Sequence, residues 1–255
     1  MNAIRRALAE GRPSLGCFCS AVTPQSAELL ASAGFPWLVI DLQHGAAGWH
    51  DAMPLIEATV LGGAVPVVRV GWNDPPTIMR AVDFGAVGVI VPMIDTEDEA
   101  ASAAAAMRYP PAGVRSFGPT RAVYPSTDAA NEDVICLVMI ETKDGLRNME
   151  AIAAVDGVDG LFIGPVDMAL SLGHGAPPSL RHPAVDKVID EAVEVANRHG
   201  RFVGTVAAGV DHAADLVARG VRFISVASDK GYLRAGAARD VEALKALMAS
   251  ATATG

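Results

Sequence analysis

Short apolar runs recur along the chain, separated by stretches in which apolar and polar residues mix at helical spacing. The runs are LGCFCS (15–20), WLVIDLQ (37–43), VPVVRV (65–70), GVIVPMI (88–94), ICLVMIE (135–141), GLFIGP (160–165), RFVGTV (201–206) and FISVASD (223–229). Each is short and mostly rich in β-branched residues, which predicts strands. The intervening stretches predict helices over PQSAELLASAG, closed by Gly34, then DAMPLIEATVLGG, PPTIMRAVDFG and 96–107, where Thr96 and Glu99 stand at capping-box spacing. Further helices follow in DGLRNMEAIAAV, a short turn reaching Gly173, 183–199, DHAADLVARG and 231–250, and the ATATG tail is expected to fray.

Eight strands, each followed by a helix and with no break in composition, predict a single α/β domain over 1–255 built as a (β/α)₈ TIM barrel. A doubly wound open sheet is the alternative, because periodicity does not show closure. The rhythm stops only at 109–132, and a segment of that length without its own period is more often functional than idle.

In such a barrel the chemistry belongs to the C-terminal ends of the strands. The positions that fall there are Asp41, Gln43, His44, Arg69, Pro92, Glu141, Asp167, Thr205, Ser228 and Asp229. Glu141 and Asp167 lie twenty-six positions apart, the reach of one βα unit, and so stand at equivalent points of two successive units. Paired carboxylates suit a hard divalent cation such as Mg²⁺ or Mn²⁺; alternatively either acid caps the helix after it. Asp41 can orient the imidazole of His44, and Arg69 closes an apolar strand as half of an ion pair or as a binder of carboxylate or enolate oxygen. Asp83 can partner either Arg69 or His44. Gly164, Pro165, Val166 and Asp167 open a helix, where free N–H groups offer a place for a substrate carboxylate. His174, His182, His199 and His212 fall away from strand ends and read as surface residues. Lys143, Lys187, Lys230 and Lys245 lie in helices or loops, which leaves no lysine inside a strand for a Schiff base.

Composition narrows the picture. Half of the 255 residues are hydrophobic and the formal charge is −9, so neither disorder nor binding to nucleic acid or an anionic membrane surface is expected. The opening residues lack a signal peptide's apolar core, and no run reaches the roughly 18 apolar residues of a membrane span. A soluble cytoplasmic enzyme is expected. Cys17, Cys19 and Cys136 fit neither a disulfide framework nor a zinc pattern and read as buried free thiols.

Six stretches carry a resemblance: DLQHG (41–45), VVRV (67–70), GAVGVIVPMIDTEDEA (85–100), RYPPAGVRSFG (108–118), IETKDGLRN (140–148) and VDGLFIGPVDMALSLG (158–173). Through them the chain resembles the HpcH/HpaI metal-dependent (class II) pyruvate aldolases, of the 4-hydroxy-2-oxoheptanedioate and 2-dehydro-3-deoxyglucarate kind. The resemblance implies a barrel assembled as a hexamer, a trimer of dimers that exchange their last helix, so that residues 231–255 meet a neighbour. It implies Glu141 and Asp167 as ligands of Mg²⁺, Mn²⁺ or Co²⁺, Arg69 as the holder of the pyruvyl oxygen, and His44 as acid and base. It further implies that Asp41 and Asp83 tune His44, partly across the subunit interface, and that the backbone of 164–167 receives the substrate carboxylate. The implied partners are a 2-oxo acid and an aldehyde. Gln43 departs from relatives that carry Glu there, which removes a charge beside the base, and Met139 departs from those with Gln. A citryl- or malyl-CoA-type lyase on the same fold is an alternative, for which Arg115 and Arg121 are the only hint of a basic coenzyme pocket. A non-catalytic barrel that binds an oxo acid is another.

Overall fold

The structure is a computed structural model that describes residues 1–121, 123–177 and 179–253. Strands β1 (Ser14–Cys19), β2 (Trp37–Asp41), β3 (Val65–Arg69), β4 (Gly88–Val91), β5 (Ile135–Ile140), β6 (Gly160–Ile163), β7 (Phe202–Val206) and β8 (Phe223–Ser228) close into a parallel barrel in chain order. β1 pairs with both β2 and β8, which leaves no free edge and excludes the open sheet.

The pleat sorts each strand into two sets of side chains. In β5, Ile135, Leu137 and Met139 face the barrel interior while Cys136, Val138 and Ile140 pack outward against helices. Trp37 and Val39 in β2, Val67 in β3, and Phe18 and Phe162 in β1 and β6 belong to the same interior cluster. One further step of two residues along each strand brings Asp41, Arg69, Glu141 and Gly164 to the rim with inward parity. The polar residues at the strand ends are thus the next inward-facing positions after a dry interior. Trp37 stacks on Phe223 with centroids 3.9 Å apart, and its Nε1 donates to Ser14 Oγ at 3.0 Å, so the indole is buried without an orphaned N–H.

Around the barrel lie α1 (Ala3–Ala9), α2 (Pro24–Ser32), α3 (Trp49–Leu61), α4 (Pro75–Asp83), α5 (Glu97–Ala106), α6 (Thr127–Asp133), α7 (Lys143–Arg147), α8 (Met149–Ala154), α9 (Pro165–Ser171), α10 (Pro183–Arg198), α11 (Val210–Ala218) and α12 (Asp229–Ala253). The capping box before α5 forms as its spacing predicts: the Thr96 side chain accepts from the N–H of Glu99, and the Glu99 carboxylate accepts from that of Thr96. α1 seals the opposite end of the barrel from the rim. Ile4 inserts fully buried into the interior cluster, and Arg5 donates to the Val134 carbonyl and to Asp159. Asp159 is a shared acceptor there, also binding Arg108 at 3.0 Å and the N–H of Cys136 at 2.8 Å.

Four expectations change. The segment 109–132 contains the start of a helix, α6, whose sequence TDAANED has too little apolar pattern to announce it. The helix expected after β5 is two, broken at Asn148, whose side-chain amide donates to the Asp95 carbonyl at 2.7 Å. α12 begins at Asp229 and continues through residues of the expected frayed tail to Ala253; 254–255 lie outside the described residues. β4 stops at Val91, because Pro92 has no N–H for the ladder and Met93 turns into the left-handed region, with φ 55°. No helix among the described residues is long and apolar enough to cross a membrane.

Candidate active site

A cavity of about 900 Å³ opens at the C-terminal ends of the strands, where the barrel argument placed the chemistry. Phe18, Met139 and Phe162, the last apolar interior residues, line it together with Asp41, His44, Arg69 and Asp167. Parity brings Asp41 and Arg69 to this space, and the segments that follow β2 and β6 bring His44 and Asp167.

Asp41 is the most connected of them. It is 2% exposed, and its carboxylate takes two parallel bonds from Arg69, Nε to Oδ1 at 2.9 Å and Nη2 to Oδ2 at 2.7 Å. The same Oδ1 accepts the backbone N–H groups of Gln43 and His44 at 3.1 and 3.2 Å. Burial pushes this carboxyl up, but the hydrogen bonds and charge of Arg69 and the two amides outweigh it and hold it below its ordinary value. Asp41 thus fixes Arg69 through its side chain and His44 through its backbone, rather than by a bond to the imidazole. The Arg69 guanidinium lies over the Phe18 ring, 5.1 Å from its centroid, which supports its plane from one face. With Nε and one hydrogen of Nη2 committed to Asp41, the Nη1 hydrogens and the second on Nη2 are left for a ligand.

Glu141 is 3% exposed and lies just behind the cavity wall at Gly164. A Cβ built on Gly164 would meet Glu141 Oε2 at 2.5 Å, so any other residue there must displace this carboxylate. Its Oε1 accepts the N–H of Met93 at 2.9 Å. A left-handed conformation is costly for a side chain such as methionine's, and here it turns that amide to the acid. Burial, opposed by the Met93 bond and assisted by the negative charge of Asp167, pushes the Glu141 carboxyl above its ordinary value. Arg69, the cation that acts against this shift, is already committed to Asp41.

These observations test the site for a metal. The buried Glu141, whose charge the neighbouring Asp167 makes more costly, is relieved by a cation that both acids share. Among the described residues no group of three or more His, Cys, Asp or Glu gathers in ligand geometry. Two carboxylates without imidazole or thiolate suit Mg²⁺, Mn²⁺ or Co²⁺, which keep positions open for water and substrate oxygens, and the residues fit such an ion.

Asp167 stands in the first turn of α9, after Gly164 as N-cap and Pro165 at the first helical position. Pro165 contributes no N–H, whereas those of Val166 and Asp167 belong to the turn that helix geometry leaves without intrahelical acceptors. All of 164–167 line the cavity.

Asp83 does not join this group within its own chain. It ends α4, at the opposite end of the barrel from the rim, and its Oδ1 accepts Arg115 Nε and Nη2 at 3.1 and 2.6 Å. Arg69 took Asp41 instead because the two sit side by side in the register of β2 and β3. Arg115 is 3% exposed and stacks over Tyr109, while Arg121 lies 3.9 Å from Glu57. Neither arginine lines the cavity, which removes the hint of a coenzyme A pocket.

Some residues escaped the sequence reading. Phe18 is a mid-strand apolar residue whose role beneath Arg69 follows only from closure. Lys230, read from the sequence only as lying in a helix or loop, contributes to the cavity wall from the first turn of α12. His212, expected at the surface, is 6% exposed, because the first turn of α11 folds back on the loop before it. Cys17, Cys19 and Cys136 are buried and free, as expected, and burial pushes Cys136 up to about 12, so it does not supply a thiolate.

Comparison with known proteins accords with this geometry. The chain is 39% identical over 254 residues to a hydroxypyruvate/pyruvate aldolase of Rhizorhabdus wittichii, covering 97% of this chain and all of that one. It is 38% identical over 243 residues to a 4-hydroxy-2-oxo-heptane-1,7-dioate aldolase of Klebsiella pneumoniae, covering 92% and 91% of the two. A solved HpcH/HpaI aldolase/citrate lyase family protein of Burkholderia cenocepacia superposes with a TM-score of 0.87 at 31% identity, over 96% of this chain and 100% of that one. The profile of the family described as HpcH/HpaI aldolase/citrate lyase matches residues 14–235, from the first strand into the first turns of α12. A closed barrel, with these acids on its rim and such relatives along almost its whole length, places the chain in the HpcH/HpaI aldolase/citrate lyase family.

Proposed function

We propose that the chain is a carbon–carbon lyase, a metal-dependent aldolase that reversibly cleaves 4-hydroxy-2-oxo acids into pyruvate, or a close 2-oxo acid, and an aldehyde. The observation that carries this reading is that Asp167 and Arg69 line one cavity while the buried Glu141 lies just behind its wall at Gly164, so that a carboxylate pair suited to a cation stands beside an arginine with free donors. Glu141 and Asp167 would hold Mg²⁺, Mn²⁺ or Co²⁺, which would supply a Lewis acid for negative charge on the 2-oxo oxygen.

The chain's own residues do the rest. The N–H groups of Val166 and Asp167 receive the substrate carboxylate at the start of α9, with Gly164 and Pro165 shaping the turn. Arg69 Nη1 donates to the 2-oxo oxygen, and Asp41 and Phe18 keep the guanidinium from rotating as charge builds there. His44 takes the proton of the C4 hydroxyl as the C3–C4 bond breaks. That bond's electron pair becomes the C2–C3 double bond of the enolate, the aldehyde leaves, and a proton then returns to C3. No Schiff base is required.

The working form is a hexamer in the cytoplasm, in which α12 packs on a neighbouring copy and Asp83 tunes the His44 of an adjacent chain. The exposed apolar residues Leu233, Val241 and Leu244 along α12 support a partner for that helix.

The test is incubation with Mn²⁺ or Mg²⁺, pyruvate and a panel of aldehydes, following loss of pyruvate. Turnover that stops with EDTA and in Glu141→Ala is expected; equal consumption after EDTA removes the metal from the mechanism. Arg69→Ala should lose turnover by at least about a hundredfold while still binding Mn²⁺.

A further inference from the structure

One buried imidazole that the chemistry above does not use touches the cavity wall. Ala207, Ala208 and Gly209, between β7 and α11, line the cavity. Gly209 is the N-cap of α11 with φ 136°, a conformation that favours glycine and that brings no side chain to cap the helix. His212, the third residue of α11, reaches back past that cap to the chain before it: its Nδ1 accepts the N–H of Ala208 at 3.0 Å. A Glu or Gln at this position in a capping box reaches back in the same way to a backbone amide. An imidazole differs from those side chains in one respect, since its nitrogen accepts only while unprotonated.

We propose that His212 is a positioning residue, which ties the cavity wall at 206–209 to α11 and releases it when Nδ1 takes up a proton. With Nδ1 accepting, the neutral ring carries its hydrogen on Nε2, a buried atom with no hydrogen-bond partner among the described residues. Protonation therefore adds a second unsatisfied donor to a buried ring and removes the acceptor from Ala208. Burial is the largest influence on the ring and pushes its pKa below the ordinary 6.5. Arg181, from the segment before α10, and Arg219 of α11 act in the same direction, while Asp186 of α10 and Asp215 of α11 oppose them. The positive end of the α11 dipole also disfavours a cation in its first turn. The tie holds at neutral pH and fails in acid.

The consequence for catalysis rests on the aldolase reading: with the oxo acid held by Arg69 and residues 164–167, the wall at 206–209 faces the aldehyde. The experiment uses the full chain as wild type, His212→Asn, whose Oδ1 takes the place of Nδ1 without titrating, and His212→Leu, which has no acceptor. Amide hydrogen exchange of the peptide spanning 206–212, compared at each pH between wild type and His212→Asn so that intrinsic exchange cancels, is expected to match near pH 8 and to rise in wild type alone toward pH 5. The KM for the aldehyde is expected to rise about fivefold over the same interval in wild type, the worth of one neutral hydrogen bond, with the KM for pyruvate unchanged. It should stay flat in His212→Asn and be high throughout in His212→Leu. Identical pH dependence of exchange in wild type and His212→Asn overturns the proposal, and should His212→Leu not fold, that comparison still decides. Absence of aldolase turnover in every form would instead fail the functional reading, leaving exchange as the arbiter for His212.

Discussion

Asp41 and Glu141 are both buried acids on one rim, yet their surroundings drive them in opposite directions. Asp41, held below its ordinary 3.8 by Arg69 and two amides, contributes stability that is present above that value and lost as pH falls through its lower folded pKa. Glu141, raised from 4.5 mainly by burial, does the reverse: the metal-free fold is favoured while it is protonated, and the cost grows as pH climbs from 4.5 through the raised folded value. At pH 7 in EDTA, Glu141→Gln keeps an acceptor for Met93 and removes the charge, so it is expected to melt about 2–4 °C above wild type, the equivalent of about 1 kcal/mol. Mn²⁺ should raise the melting temperature of wild type and leave that of Glu141→Gln where it was; calorimetry in each buffer checks both. The two acids were legible in the sequence because strand ends are legible. Their environments were not, since the amide of Met93 depends on a left-handed residue in another loop, and the partner of Asp83 arrives from the irregular segment around Arg115.

Elements divide the molecule into an end that reacts and an end that holds. α1 plugs the far end of the barrel with Ile4, which is fully buried among the interior side chains. Ile4→Ala is expected to cost about 3 kcal/mol in urea unfolding, from the lost burial and the void it leaves, and to keep kcat/KM within about twofold, because the cavity lies at the opposite rim. The apolar runs gave away the strands with ends misplaced by a few residues, since a run continues past the last ladder bond wherever an inward polar residue or a proline follows. Helices were legible when amphipathic or capped, as with α5, and hidden when polar throughout, as with α6. Asn148 shows a third case: its bond to the Asp95 carbonyl splits a continuous helical pattern through a contact fifty-three positions away.

At the scale of the whole molecule, the barrel closes on itself while α12 carries exposed apolar side chains. Past its first turn the helix leaves Leu233, Val241 and Leu244 exposed by 69%, 47% and 57%, more apolar side chain than one helix ordinarily offers to water. Val241→Asp with Leu244→Asp is expected to reduce the assembly to smaller species in sedimentation velocity while each barrel stays folded by circular dichroism; an unchanged sedimentation coefficient would remove α12 from the interface. Sequence periodicity predicted the barrel but carries no signal for a partner of the last helix, because an unpaired helix and a packed one share the same local pattern. The contact between Gly164 and Glu141 carries a lesson for sorting such chains by motif. A protein that retained both acids, the arginine and the histidine, but carried alanine at 164, would pass every inspection of its reactive groups. Its added methyl would nonetheless displace the buried carboxylate, and the proposed metal pair would be broken at a residue that has no functional group at all.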